Sequence, residues 1–168
     1  QARTDLSKIE RYTQNVGDAK AWLTQTETSL MEMNAIIKRA YDLAIDSVNA
    51  SKTPEDRAAN AKELRELEEQ LIQAANTTYG GRYVFGGYNT VKEPFKIVKD
   101  DDGNRNLLYN GIDLITGEVD KLSELEGEEL NYEIGPGVNM KVSINGIELL
   151  GTGYDNIFNV IVELTDAL

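Results

Sequence analysis

The chain has 168 residues and a hydrophobic content of 40%, which is enough for one folded domain or two small ones. Its net charge of −12, from 29 acidic and 17 basic residues, repels phosphate backbones and anionic lipid surfaces, so we expect neither nucleic acid nor a membrane as a partner. Cysteine and histidine are both absent, which excludes disulfides, thiolate ligands, cysteine nucleophiles and the commonest general base, and we expect no cofactor and no metal.

The first half of the chain has the pattern of one long helix. Gly17 is the only one of the 14 glycines before residue 80, and two series of residues recur every seven positions. The first series is Ile9, Val16, Leu23, Leu30, Ile37 and Ala44, and the second is Tyr12, Ala19, Thr26, Met33, Ala40 and Ser47. This a/d heptad predicts a helix from about residue 2 to residue 48, roughly 70 Å long, with the first series as its buried seam.

A second helix is expected to fold back on the first. Thr53 and Pro54 are typical of an N-cap and a first helical position. Leu64, Leu67 and Leu71 then repeat at 3-4 spacing, and the short connection predicts an antiparallel pair. These three leucines are predicted to complete the seam.

The second helix is too short to cover the seam near Ile9, Val16 and Leu23, so another element is needed there. We expect a C-terminal helix, capped by Asp155, to fill this place. Its apolar residues are Ile157, Phe158, Ile161, Leu164 and Leu168. Trp22 flanks the seam, where it is buried against another helix of this chain or contacts a neighbouring subunit.

Residues 79–88 read YGGRYVFGGY, with two glycine pairs around an apolar run. A P-loop is excluded because its Lys and Ser/Thr are missing after the second glycine position. A structural joint is predicted instead: the first glycine pair ends the helix, two aromatic residues point to one face of a short strand at 82–88, and the second pair ends that strand near another backbone. The joint residues are Gly80, Gly81, Tyr83, Phe85, Gly86 and Gly87.

Between residues 91 and 153 the pattern changes to short extended runs. Residues 95–98 and 107–109 flank a polar stretch, Asp100 to Asn104, which predicts a hairpin tip. Residues 140–144 and 147–149 flank Asn145 and Gly146, a strong two-residue turn signal. A small antiparallel β domain inserted between helices is therefore expected.

Three other patterns carry no predicted site. The run from Asp100 lacks the Gly and Glu that a calcium loop needs at its sixth and twelfth positions. Gly135-Pro136-Gly137 is predicted to be a turn, because no third glycine or following helix completes a nucleotide fingerprint. The carboxylate pairs Glu68 with Glu69 and Glu128 with Glu129 are predicted to lie on solvated faces.

The long heptad helix, the returning helix that ends near 75–79, the sequence GRYVFGG at 81–87 and Pro94-Phe95 together resemble a known family. It is the family of bacterial flagellar hook-filament junction proteins, the hook-associated proteins of type 3, which are relatives of flagellin. The likeness covers about residues 6–95. It implies an α+β fold: an elongated helical rod formed by 1–90 and 154–168, with an inserted antiparallel β domain at 91–153.

The resemblance also implies a function. Proteins of this family are structural, non-enzymatic axial components of the extracellular flagellum, which form a ring of their own copies between the first hook-associated protein and flagellin. The family's terminal segments, which order only on assembly, are not found at either end of this sequence, so the isolated fragment is expected to stay monomeric.

Two alternatives within and outside this class remain open. One is flagellin, whose strand after the second helix usually lacks the sequence GRYVFGG. The other is an extracellular binding module, which would use the aromatic residues of the β region, Tyr109, Tyr132 and Tyr154. A hydrolase is disfavoured because the chain offers no nucleophile with an orienting base.

Overall fold

A computed structural model describes residues 2–127 and 129–168, so that Glu128 of the second carboxylate pair lies outside the described residues. The helices and strands follow one another along the chain. They are α1 (Ala2–Ser47), α2 (Pro54–Ala75), β1 (Thr78–Tyr79), β2 (Arg82–Tyr83), β3 (Phe95–Lys99), β4 (Arg105–Tyr109), β5 (Ile112–Asp113), α3 (Val119–Glu126), β6 (Asn131–Gly135), β7 (Val138–Lys141), α4 (Gly146–Leu150), a 3₁₀ turn (Gly153–Asp155) and α5 (Ile157–Asp166).

The two long helices form the predicted antiparallel pair. At 46 residues, α1 is roughly 70 Å long. Thr53 caps α2 as predicted: its hydroxyl accepts a hydrogen bond from the Asp56 amide at 3.1 Å, and its own amide donates to the Asp56 carboxylate at 2.9 Å. This capping box satisfies two amide groups that would otherwise lack a partner at the helix start.

The buried face of α1 is centred on the second heptad series and not on the first, which was predicted to be the seam. The second heptad series is buried from Ala19 onward, but it is accompanied by Trp22, Ser29, Ile36 and Leu43. The predicted seam residues Leu30 and Ile37 are only partly buried, at the edge of the core. The residues Ile9, Val16 and Leu23 are 61, 48 and 40% exposed, so their assignment to the buried seam is wrong for this chain.

The buried face of α1 contains small and hydroxyl-bearing residues in place of the large apolar residues of the predicted seam. These small side chains allow α1 and α2 to approach closely. Thr26 and Ser47 are buried, and their hydroxyls donate to carbonyls one turn back in α1. The Ser29 hydroxyl donates to the Ala74 carbonyl of α2 at 2.6 Å. Because every one of these hydroxyls has an acceptor, their burial carries little penalty. On α2, the residues Leu64, Leu67 and Leu71 are buried opposite this face.

The strands form three small antiparallel sheets: β1 with β2, β3 with β4 and β5, and β6 with β7. The predicted hairpin tip at 100–104 joins β3 to β4, with Lys99 opposite Arg105. The predicted turn at 135–137 joins β6 to β7. The prediction of a two-residue turn at Asn145 and Gly146 is wrong, because Asn145 caps α4 in a capping box with Glu148.

The glycine at the start of α4 is needed for packing. A Cβ on Gly146 would lie 2.5 to 2.7 Å from ring carbons of Tyr109. The sequence Asn-Gly therefore serves here as a helix cap followed by a residue that lets an aromatic ring approach the backbone.

The C-terminal helix α5 exists but does not cover the N-terminal half of α1. It packs on α2, and Phe158 and Ile161 are buried. Its cap is Asn156, not Asp155, because the Asn156 side chain accepts hydrogen bonds from the amides of Phe158 and Asn159.

Buried side chains from the helices and from the β region belong to one apolar core. Trp22 is 1% exposed, and its ring meets Tyr79 edge to face at 6.4 Å, so it is buried within this chain. Phe95 and Tyr109 contact each other in the β region with ring centroids 4.9 Å apart. The division into a rod, 1–90 with 154–168, and an inserted domain, 91–153, stays a prediction.

Two isoleucines of α1 test the observed buried face. Ile36 is 6% exposed and Ile45 is 54% exposed. We expect Ile36→Ala to lower the free energy of unfolding by about 2–5 kcal/mol, because it leaves a cavity in the core. Ile45→Ala, which removes the same atoms from a solvated position, should change it by less than about 0.5 kcal/mol. Denaturant unfolding measures both, and equal losses would mean that the buried face is misplaced.

Candidate assembly surface and structural joint

The first glycine pair of the joint forms a hairpin turn and does not end the helix. Helix α2 stops at Ala75, five residues before Gly80. Gly80 and Gly81 have φ values of +56° and +78° and connect β1 to β2, with Tyr79 opposite Arg82. Positive φ at both central residues is the requirement of the hairpin turn that matches strand twist, and glycine meets it at no steric cost. The prediction that these glycines stop the helix is therefore wrong.

The strand predicted at 82–88 is only two residues long. After Tyr83, which is half-buried, the chain turns, and both Val84 and Phe85 are buried at 1% and 0% exposure. The Phe85 carbonyl accepts a hydrogen bond from the Tyr109 hydroxyl at 3.0 Å. A two-residue strand followed by a turn replaces the predicted strand. The turn allows two consecutive residues, Val84 and Phe85, to be buried, whereas successive side chains of a strand point to opposite faces.

Gly86 lies in the tightest part of this turn. A Cβ there would be 2.6 Å from the Asn89 carbonyl oxygen. Gly87 follows with φ at +64°, a conformation that residues with a Cβ rarely adopt. The second glycine pair thus approaches another backbone, as predicted, but that backbone belongs to the joint's own turn.

Asn76, which no sequence pattern indicated as important, joins the end of α2 to the β region. Its side-chain oxygen accepts from the Phe95 amide at 3.0 Å, and its amide group donates to the Phe95 carbonyl at 2.9 Å. These two hydrogen bonds resemble the pair that a residue on a neighbouring antiparallel strand would make with Phe95. The end of α2 and the start of β3 are therefore held together across the whole joint.

Glu68 of α2 is buried, at 2% exposure, so its predicted place on a solvated face is wrong. Arg105 of β4 lies 2.5 Å from one carboxylate oxygen, and the Thr165 hydroxyl of α5 donates to the other at 2.7 Å. Arg105 also pairs with Asp166 at 2.8 Å. Burial raises the pKa of Glu68, and the Thr165 hydrogen bond and the Arg105 charge oppose that rise. This network connects α2, β4 and α5.

Four large apolar side chains on the N-terminal half of α1 are exposed along one face. They are Leu6, Ile9, Val16 and Leu23, which we call the α1 stripe. The hairpin of β6 and β7 lies beside it: the Asn15 side chain donates to the Glu133 carbonyl at 2.6 Å, and Arg11 pairs with the Glu133 carboxylate at 3.4 Å.

A groove of about 280 Å³ remains between the α1 stripe and this hairpin. Val16 and Leu23 form one wall, and Ile134 and Met140 form the other. A second hollow continues it toward Ile9. The hairpin therefore covers one flank of the α1 stripe and leaves the other open.

The described parts of the chain hold no cluster of three or more acidic residues that could bind a metal ion. None of the helices within 2–127 and 129–168 is long and apolar enough to cross a bilayer. Tyr109, which a carbohydrate or ligand module would need at its surface, is fully buried. The α1 stripe is the exposed apolar feature of the N-terminal half of α1.

Two glycine substitutions test the joint. Gly86→Ala should lower the free energy of unfolding by about 1–3 kcal/mol, because the new Cβ must displace the Asn89 backbone. Gly17→Ala is the matched control: Gly17 lies in α1 with open space around it, and we expect a gain of about 0.5–1 kcal/mol from helix propensity. Thermal and denaturant unfolding measure the stability of both variants. A change of stability in the same direction for both would contradict the close backbone contact assigned to Gly86.

The raised pKa of Glu68 predicts a pH effect. A folded-state pKa above the unfolded one gives a stability contribution that is present at low pH and is lost as pH rises through the folded value. Glu68→Gln removes this loss. The free energy of unfolding of the variant, minus that of the natural chain, should therefore increase as the pH rises from the ordinary range of glutamate titration to above it. Denaturant titrations at each pH measure it, and a difference that falls with pH would show that the pKa is not raised.

Comparison with known proteins identifies relatives of this chain. Residues 1–90 match the family described as the bacterial flagellin N-terminal helical region. Flagellar hook-associated protein 3 of Escherichia coli K12 is 33% identical over 95 residues, which cover 54% of this chain and 30% of that protein. B-type flagellin of Pseudomonas aeruginosa is 32% identical over 83 residues, 49% of this chain and 17% of that protein.

The likeness extends to solved structures. The crystal structure of Xanthomonas campestris FlgL superposes with a TM-score of 0.69 at 28% identity, and the match covers 88% of this chain and 42% of that one. This confirms the predicted α+β fold of a helical rod with a β region, and the resemblance on which it rested. The chain spans less than half the length of these relatives. From the 90 matched residues it follows that the chain belongs to the family of the bacterial flagellin N-terminal helical region.

Proposed function

We propose that this chain is part of a structural axial component of the bacterial flagellum, a hook-associated protein of type 3 that joins the hook to the filament. The relatives in Escherichia coli and Xanthomonas campestris support the proposal, since the first carries the name flagellar hook-associated protein 3. The role is non-enzymatic: it consists of contacts between subunits. The protein works outside the cell, where hook and filament meet.

The observation that carries this proposal is the α1 stripe. A helix of 46 residues keeps four large apolar side chains in water, three of them at seven-residue spacing. Each of these side chains is already about half-buried, so covering the rest of it stabilises a complex by roughly 1 kcal/mol. A heptad with an open flank fits another helix with matching 3-4 spacing. We propose that a helix of the assembled axial structure packs on the α1 stripe.

The proposed partners are other copies of the protein in a ring, the first hook-associated protein on one side and flagellin on the other. An adaptor between two unlike structures needs different surfaces at its two ends, so its copies must all point the same way. The rod, 1–90 with 154–168, would carry these contacts. The joint and Asn76 would hold the inserted segment, 91–153, at a fixed angle to the rod.

Flagellin is the second candidate, because the family region and the Pseudomonas relative both belong to it. The junction role is favoured by the sequence GRYVFGG at 81–87, whose Gly81 lies in the β1–β2 turn and whose Gly86 and Gly87 lie in the tight turn that follows β2. It is also favoured by the solved relatives, because the structures that superpose on this chain at 28% identity are those of Xanthomonas campestris FlgL.

Charged substitutions in the α1 stripe test the proposal. Val16→Asp with Leu23→Asp, placed in the full-length protein, should abolish rescue of swimming in a strain that lacks the protein. Both side chains are 40% or more exposed here, so the double variant should fold. A carboxylate inside a helix-helix contact loses its hydration without a partner, and such burial costs several kcal/mol.

The matched control is Gln14→Asp with Thr28→Asp, which adds the same charge at exposed positions on the other side of α1. It should swim normally. Circular dichroism and secretion assays establish that both proteins fold and leave the cell. Normal swimming of the Val16 and Leu23 variant, with the protein present in the flagellum, would overturn the proposed contact.

A further inference from the structure

The C-terminal half of α1 carries a second exposed face, on the side of the helix that faces away from α2. Met31, Tyr41, Ile45 and Val48 are 68, 65, 54 and 77% exposed. These side chains recur at 3-4 spacing together with two polar residues, which places all six on one face. We call this set the outer face: Met31, Asn34, Lys38, Tyr41, Ile45 and Val48.

Lys38 belongs to the outer face, and Asp42 lies at its edge, about one helical turn further along α1. Lys38 and Asp42 are exposed, and neither takes part in a salt bridge within the described residues. Their neighbour Arg39, in contrast, is held by Glu63 of α2 at 2.6 Å. Lys38 and Asp42 lie at equal distances along the chain on either side of residue 40. If two copies of this helix run antiparallel with residue 40 at the centre, the positive Lys38 of each copy faces the negative Asp42 of the other.

We propose that the outer face pairs antiparallel with the outer face of a second copy of the chain. Facing positions in such a pair bring Met31 opposite Val48 of the second copy at both ends of the contact. Next to the centre, the Lys38 stem crosses the Tyr41 ring of the second copy, with its ammonium close to Asp42 of that copy. The pairing is isologous, because the same surface serves both partners.

The charges select this direction over the alternative. A parallel pair in register would place Lys38 against Lys38 and Asp42 against Asp42, and like charges brought together at an interface oppose binding. The antiparallel pair turns both repulsions into attractions. Ile45 then faces Asn34 of the second copy, whose short side chain can turn its amide toward water.

The contact is weak because the outer face is short. Four large apolar side chains per copy bury far less surface than the roughly 1,600 Å² that a stable complex buries. The chain therefore stays monomeric at micromolar concentration and pairs transiently at higher concentration. Copies in an adaptor ring point the same way, so the antiparallel pair belongs to the unassembled protein and must open on assembly. This last step rests on the proposed function, whereas the contact itself does not.

Single-cysteine variants test the pairing, since the natural chain has no cysteine. Met31→Cys and Val48→Cys are made separately and mixed under mild oxidation. The antiparallel pair brings these two positions toward the Cα separation of about 4.4–6.8 Å that a disulfide requires. We expect the disulfide between the two variants to form several-fold faster than a disulfide within either variant alone. Asp101→Cys, at the exposed hairpin tip, gives the rate of random collision.

Charge reversal supplies the second arm. Lys38→Glu, added to both cysteine variants, should reduce the mixed disulfide to the Asp101→Cys background. Adding Asp42→Lys as well should restore it, because the reversed pattern is again complementary to itself. Rapid disulfide formation by Met31→Cys alone would show parallel pairing, and background rates throughout would show no pairing. Either result, or failure of the charge reversal to restore the disulfide, overturns the proposal.

Discussion

The close packing of α1 on α2 is the contact on which the rest of the structure depends. Small and hydroxyl side chains let the two helices approach, and Ser29 ties them directly by donating to the Ala74 carbonyl. Two later elements are built on α2: α5 packs along it, and Asn76 at its end holds the start of β3. A change that separated the two helices would therefore carry α5 and the start of β3 away from α1.

The position of α2 also determines which parts of α1 are left for partners. Because α2 has 22 residues and α1 has 46, the N-terminal half of α1 extends beyond it, and β6 with β7 covers only one flank there. The C-terminal half is covered on one side and exposed on the other. A long helix that is incompletely covered at both ends of its length is costly for an isolated domain but suited to a subunit whose neighbours complete it.

Local signals in the sequence predicted the elements, and contacts distant in sequence decided what they bury. Thr53 and the hairpin tip at 100–104 were predictable because caps and turns depend on adjacent residues. The buried face of α1 was not, because the large residues Ile9, Val16 and Leu23 outweigh small ones such as Ala19 and Ser29 in any hydrophobic pattern. Glu68 has partners 37 and 97 residues away, and nothing near it in sequence indicates their approach. The joint was recognisable by its glycines, but its turn geometry was not.

Helix α1 is stabilised only where another element covers it. Hydrogen exchange along α1 of the isolated chain measures this most directly, since amides exchange through local opening whose free energy follows the burial around them. We expect amides from residues 5–16 to exchange much faster than those from residues 29–43, which face α2. Equal protection along the whole of α1 would mean that its N-terminal half is stable without a partner, and would contradict the account.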